Sequence, residues 1–353
     1  MIALIIILAV ITLIGIKFSR FHSDYMGLSQ TTAIKGFFAV VIVMSHMLSY
    51  TTVMFPGDSI YAKILGYIGQ LMVTLFFFYS GYGIVVSLER KKDYYDTFLK
   101  SRLLKLLLHF DIAVFLFLIM NIALSKTYPA SQYVTCWIGW GSIGNSNWFI
   151  FDTFIFYIIA FVAMTIKKYT GTGMKVFASV VTVMCLFFWA IMLMHFKQDA
   201  TWWYNTIFCF PAGIWYGAFK GRIDRFAKKW YFYWPSFLIL GGLFAFLYLK
   251  RFDVNYYSVL APVFCVLVTF VTMKVKFDNK ILAWLGKHSF SIYITQRIPM
   301  IILSHFGANK NSILFTVLVV LTVFPFAWLF SLLLSRIDKL LFSKKNDKAL
   351  KNK

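Results

Sequence analysis

Two side chains in an otherwise apolar stretch are of types that do chemistry: Lys35 and His46, in TTAIKGFFAVVIVMSHMLSY (31–50). Eleven positions separate them, three turns at about 3.6 residues per turn, so a helix puts both on one face about 16 Å apart along its axis. A neutral imidazole suits general-base work near neutral pH. It equally suits a buried histidine bonded to a neighbouring helix, and the residues alone leave both readings open. Lys35 follows Thr31 and Thr32, which can cap the helix start. A lysine there either snorkels to a membrane surface as an anchor or holds an anion.

The elements that carry this pair follow from composition. The chain has 353 residues, 60% of them hydrophobic and only 14% charged, with mean hydropathy +0.75. A soluble domain of this size does not need so much apolar surface, because its exterior faces water. Apolar runs of about 18 to 20 residues between charged clusters predict an all-α, polytopic transmembrane bundle. The ~10-residue alternating segments of a membrane barrel are not present. About eleven spans can be drawn, at 2–17, 33–52, 64–88, 104–124, 148–166, 174–194, 203–219, 231–249, 256–273, 287–306 and 313–335. The first reads as a retained helix, since MIALIIILAVITLIGIKFSR lacks a basic leader and a small-residue cleavage site. Alternate loops hold most of the 35 Lys and Arg residues, so by the positive-inside rule that side is cytoplasmic, the N-terminus outside and the C-terminus cytoplasmic. The net charge of +22 is then membrane anchoring with attraction for anionic lipid heads, and nucleic acid is not implied. Cys136, Cys185, Cys209 and Cys265 are scattered without metal-ligand spacing, so no metal is expected.

Ionisable groups inside spans cost roughly 2.5–3.5 kcal/mol each on insertion scales, which makes each a functional candidate. Besides His46 they are Asp111, Asp152 and Arg297, with Lys35, His109 and His305 near span ends. Asp152 and Arg297 are expected to pair, each offsetting the other's burial. Arg102 and Lys105, at i and i+3, are expected on one face at the cytoplasmic mouth of the fourth span, as phosphate ligands or as anchors. In LFFFYSGYG (75–83), small Ser80, Gly81 and Gly83 permit close helix contact. Trp137, Trp140, Trp148, Trp202, Trp203 and Tyr204 gather on the outer side, as an interfacial belt or as a stacking surface for sugars.

Five segments in order resemble the acyltransferase-3 family of integral membrane O-acyltransferases. Lys35-Gly36 through His46 is similar to its Arg/Lys, ten residues, His motif. FFFYSGYGI resembles its FF-x-x-SGF/Y segment, FLKSRLLKLL its FL-x-x-R-x-x-R/K segment, and NWFIFDTFIFYI its W…FY helix. LGKHSFSIYITQ (285–296) resembles LG-x-x-SYSIYL-x-H. This chain departs in Lys35 for the commoner arginine, in Asp152 where many members carry glutamates, in Gln296 for the late histidine, and in a helix ahead of the usual ten. The organisation expected is an N-terminal helix and loop (1–29), a membrane acyltransferase domain (30–335) and a basic tail (336–353). The resemblance implies a bacterial cytoplasmic-membrane enzyme that moves an acyl group, usually acetyl, from cytoplasmic acetyl-CoA to a hydroxyl of a cell-surface polysaccharide or lipid-linked glycan. His46 is then general base or transient acyl carrier, with Lys35. Lys35, Arg102, Lys105, Ser80 and Tyr82 hold acetyl-CoA, and Asn147, Trp148, Asp152, Gln296 and Arg297 face the glycan acceptor. A transporter or flippase, with His46, Asp152 and Arg297 lining a path, is the competing reading, although the repeat symmetry of such proteins is not evident.

Overall fold

The computed structural model describes residues 1–51 and 56–342. The part of the expected basic tail from 343 to 353 lies outside the described residues. In chain order the elements are α1 (Ile2–Leu13), β1 (Ile16–Phe18), α2 (Leu28–Met47), α3 (Pro56–Arg90) and the short α4 (Tyr94–Phe98). A π-helix (Leu99–Leu104) leads into α5 (Lys105–Ala123), followed by α6 (Ala130–Thr135), α7 (Trp148–Thr170), α8 (Met174–Ile191), α9 (Cys209–Ala227) and α10 (Trp230–Leu249). The chain closes with α11 (Val254–Lys274), β2 (Val275–Phe277), α12 (Lys280–Lys287), α13 (Ser289–Thr295), α14 (Arg297–His305) and α15 (Ser312–Leu341).

Among the described residues, eight helices are long and apolar enough to cross a membrane. The other three expected spans take different forms, each for a local reason. The first is only the 12-residue α1, about 18 Å at 1.5 Å per residue, before the chain turns into β1. The expected 203–219 span begins later, as α9, whose second half carries Lys220, Arg222, Asp224 and Arg225 and is too charged for lipid. The expected 287–306 span is interrupted between α13 and α14 at Gln296. Pro299 lies just beyond and has no N–H to give the Thr295 carbonyl four residues back, which weakens the helix there.

Helices without a hydrophobic drive between them associate through close backbone approach. At the α2–α12 crossing, a Cβ added to Gly36 would overlap the Leu282 carbonyl and stand 2.8 Å from the Gly286 nitrogen. Gly81 of α3 and Gly213 of α9 face each other's helices in the same way, against the Phe210 and Phe78 carbonyls. Of the small residues in the SGYG segment Gly81 is thus a helix contact, whereas Ser80 and Gly83 line a cavity; the two crossings fix α2 on α12 and α3 on α9. Asn279 caps α12 by accepting from the amides of Ile281 and Leu282, and Asn311 caps α15 likewise. Exposed Phe, Trp, Leu and Ile residues cover α10, α15 and the outer faces of α8, as a surface facing hydrocarbon requires.

Candidate active site

One face of α2 builds the site. Leu28, Thr31, Lys35, Ala39 and Ile42 recur every three or four residues and line a cavity of about 1140 Å³. His46 is the next position on that stripe. It does not line the cavity, and the reason is Tyr293 of α13. The Tyr293 ring lies 6.4 Å from the His46 ring and is itself part of the cavity wall. Phe149 of α7 packs edge-on against Tyr293 at 5.0 Å, and the two rings form a floor with His46 beyond it. Lys35 and His46 therefore share one face of one helix, as their spacing predicts, but on either side of an aromatic partition.

The polar groups around His46 are short of partners. Its Nδ1 is buried and meets no hydrogen-bond partner among the described residues. Gln296 and Arg297 are its polar neighbours. The Gln296 amide donates to the Tyr293 carbonyl at 3.1 Å, while its own oxygen, the Tyr293 hydroxyl and Arg297 Nε are buried without partners. Unpaired groups of this kind carry a desolvation cost, about 1–3 kcal/mol each for neutral ones. Their convergence on one imidazole is what a ligand-binding centre requires.

Two of the cavity's cations are equally unmatched. Lys35 and Arg102 both line it, and Arg102 is the charge that acts on Lys35. Neither has a carboxylate partner within 4 Å among the described residues, where other lysines do. The hydroxyls of Tyr94 and Tyr157 lie beside the Arg102 guanidinium, and Ser80 Oγ reaches the Tyr157 hydroxyl at 3.3 Å. Ser80 and Tyr82 line the same cavity. Two facing cations without a counter-charge favour an anion between them.

Several expected site residues stand elsewhere. Lys105 leaves the cavity. Its Nζ lies 2.6 Å from Asp338 Oδ2, and His109 Nε2 meets the other oxygen at 2.8 Å. A π-helix spans Leu99–Leu104, and its wider turn increases the angle between side chains at i and i+3, such as Arg102 and Lys105. Asp152 is fully buried, both its oxygens lack partners, and it makes no ion pair with Arg297. Tyr293 neighbours both residues, and Cys185 of α8 neighbours Asp152. The Asn147 amide is occupied in closing the loop ahead of α7, donating to the carbonyls of Trp140 and Gly141. Trp148 packs edge-on against Phe77, and neither residue lines the cavity. Trp140 and Trp203 clasp Lys197 between them, at 4.1 and 4.2 Å, which leaves little open face for stacking a sugar.

Sequence reasoning singled out neither Tyr293 and Phe149, the floor, nor Ser23–Leu28, which forms part of the wall. Tyr293 stands in the SFSIYIT segment, so a motif signal existed. Ser23–Leu28 carried none.

The helices define a membrane-embedded bundle whose cavity is lined by Lys35 and Arg102 and is separated from His46 by Tyr293. The acyltransferase-domain family model matches residues 31–332, and the chain belongs to that family: it is an integral membrane acyltransferase of the acyltransferase-3 type. No curated protein and no solved structure matches it.

Proposed function

We propose that the protein transfers an acetyl group from acetyl-CoA to a hydroxyl of a cell-surface polysaccharide or its lipid-linked precursor, with His46 as general base. The observation that carries this reading is the unmatched pair Lys35 and Arg102, in a cavity whose apolar depth ends one ring away from His46. The cations hold the phosphates of CoA, with Ser80 and Tyr82 beside them. The pantetheine arm follows the α2 stripe past Ala39 and Ile42, about 10 Å from Lys35 at 1.5 Å per residue. The thioester passes the floor when Tyr293 and Phe149 turn aside.

At that point His46 takes the proton of the acceptor hydroxyl, and the alkoxide oxygen attacks the thioester carbonyl. The tetrahedral intermediate collapses to the acetyl ester and CoA thiolate, and the thiolate recovers the proton from the imidazolium. Arg297 and Gln296, the polar neighbours of His46, orient the acceptor. Asp152, buried behind Tyr293, has no contact role in this scheme.

The test is incubation of the purified protein in detergent with acetyl-labelled acetyl-CoA and candidate glycans. Label should pass to glycan with wild type and not with His46→Ala. Glycan translocation in proteoliposomes without label transfer or acetyl-CoA hydrolysis would overturn the reading in favour of a transporter.

A further inference from the structure

The acyltransferase family match begins at residue 31, yet Ser23, Asp24, Met26, Gly27 and Leu28 line the cavity. We infer that this N-terminal segment is a part of the donor site added outside the family domain, and that it forms the wall against which the nucleotide end of the donor rests. The inference depends on reading the cavity as the donor site.

The segment is irregular in backbone, so it holds a position only if tied down, and it is tied on both sides. On one side β1 pairs antiparallel with β2, Ile16 opposite Phe277. Lys17 meets Asp278 at 2.5 Å and Lys276 meets Asp24 at 2.6 Å. The amides of Ser19 and His22 donate to the carbonyls of Lys274 and Met273 at 3.0 and 2.8 Å. On the other side Tyr25, fully buried, is tied to α9. Its hydroxyl donates to Asp224 at 2.6 Å, so the Tyr216 hydroxyl, 2.7 Å away, must donate to it. Lys220 sits 4.6 Å over the Tyr25 ring and bonds Asp224. Burial first, then Tyr216 and Asp224, hold the Tyr25 phenol well above its ordinary range, so it stays a donor. Lys220 and Asp224 themselves line the cavity, which makes Tyr25 the positioning residue for two walls at once.

Polarity decides which end of the donor meets this wall. The lining near the segment is charged or hydroxylic, with Ser23, Asp24, Glu89, Arg90, Lys220 and Asp224. The depth toward Tyr293 is aromatic and aliphatic. The acyl end must reach His46 beyond Tyr293, so the nucleotide end is the one left at the segment.

Tyr25→Phe deletes the hydroxyl and keeps the ring. With the purified full-length protein, KM for acetyl-CoA should rise about fivefold, the loss of one buried hydrogen bond, with kcat and acceptor KM unchanged. With S-acetyl-pantetheine, which lacks the nucleotide, KM should not move. An equal rise for both donors, or a change in kcat alone, would reduce the segment to scaffold and overturn the inference. Should Tyr25→Phe fold poorly by size-exclusion chromatography, Lys276→Asp and its charge-swap partner Asp24→Lys/Lys276→Asp give the same donor-selective readout. Failure of the swap to restore KM also counts against the inference. If Lys35→Ala raises the acetyl-CoA KM and none of these variants does, only the inference falls. If Lys35→Ala has no effect either, the donor-site reading falls with it.

Discussion

Arg102 and Lys105 lie three residues apart in one basic segment, and the fold gives them opposite circumstances. Arg102 faces Lys35 across the cavity with no carboxylate near it. Lys105 shares Asp338 with His109. The first arrangement stores repulsion that an anionic ligand relieves, and the second is already neutralised within the protein. A π-helical turn lies between them. A count of basic residues at a membrane surface therefore says little about which of them bind a ligand; the missing counter-charge is the informative feature.

The most severe way to probe this contrast lies at the far end of the same stripe. His46→Ala should lower kcat for transfer by about 10²–10⁴-fold while acetyl-CoA KM stays near wild type and the protein stays in the membrane. Substantial remaining transfer would remove His46 as the base and leave the cations as the site's only explained part. Next in size, Lys35→Ala and Arg102→Ala should each raise acetyl-CoA KM by about tenfold, the loss of one charge-assisted contact, with acceptor KM unchanged. Lys35→Arg should be tolerated, since charge is kept; a purely acceptor-side defect in either alanine variant would break the comparison.

Lys105→Ala should change donor KM by less than about twofold. It should lower thermal stability only slightly, as partly exposed ion pairs contribute about 0–1 kcal/mol. A donor KM shift as large as that of Arg102→Ala would erase the distinction. The smallest effect expected is a pH effect at the N-terminal segment. The hydrogen bond from Lys276 holds the Asp24 carboxyl below its ordinary range, so the tie is intact above about pH 4 and is lost as pH falls through the lowered value. Acetyl-CoA KM should therefore not vary through titration of Asp24 between pH 5 and 8. A rise in that interval that Asp24→Asn abolishes would show that Asp24 titrates there and that Lys276 does not hold its carboxyl low.

Much of the layout was legible in residues alone. Hydrophobic runs locate α2, α3, α5, α7, α8, α10, α11 and α15 because span length and apolarity are local properties. The three-turn spacing put Lys35 and His46 on one face, and that holds. Other expectations failed where a long-range partner or a backbone irregularity intervened. The Asp152–Arg297 pair looked sound from burial cost, but Tyr293 stands at the border of both. Asn147 and Trp148, expected to face the acceptor, have side chains engaged by a loop and by Phe77, contacts that only the packed structure shows.

By itself the sequence determined that this chain lies in a membrane as a helical bundle, and that one helix carries a cation and an imidazole on a single stripe. Those conclusions need only hydropathy and a 3.6-residue period, which act over a few turns. The tertiary structure alone decided which cations remain unmatched, that an aromatic floor separates the cavity from His46, and that residues ahead of the family domain complete the wall. Each of these depends on groups distant in the chain, such as His109 and Asp338, 229 residues apart. No local pattern encodes which carboxylate a packed helix will deliver to which lysine.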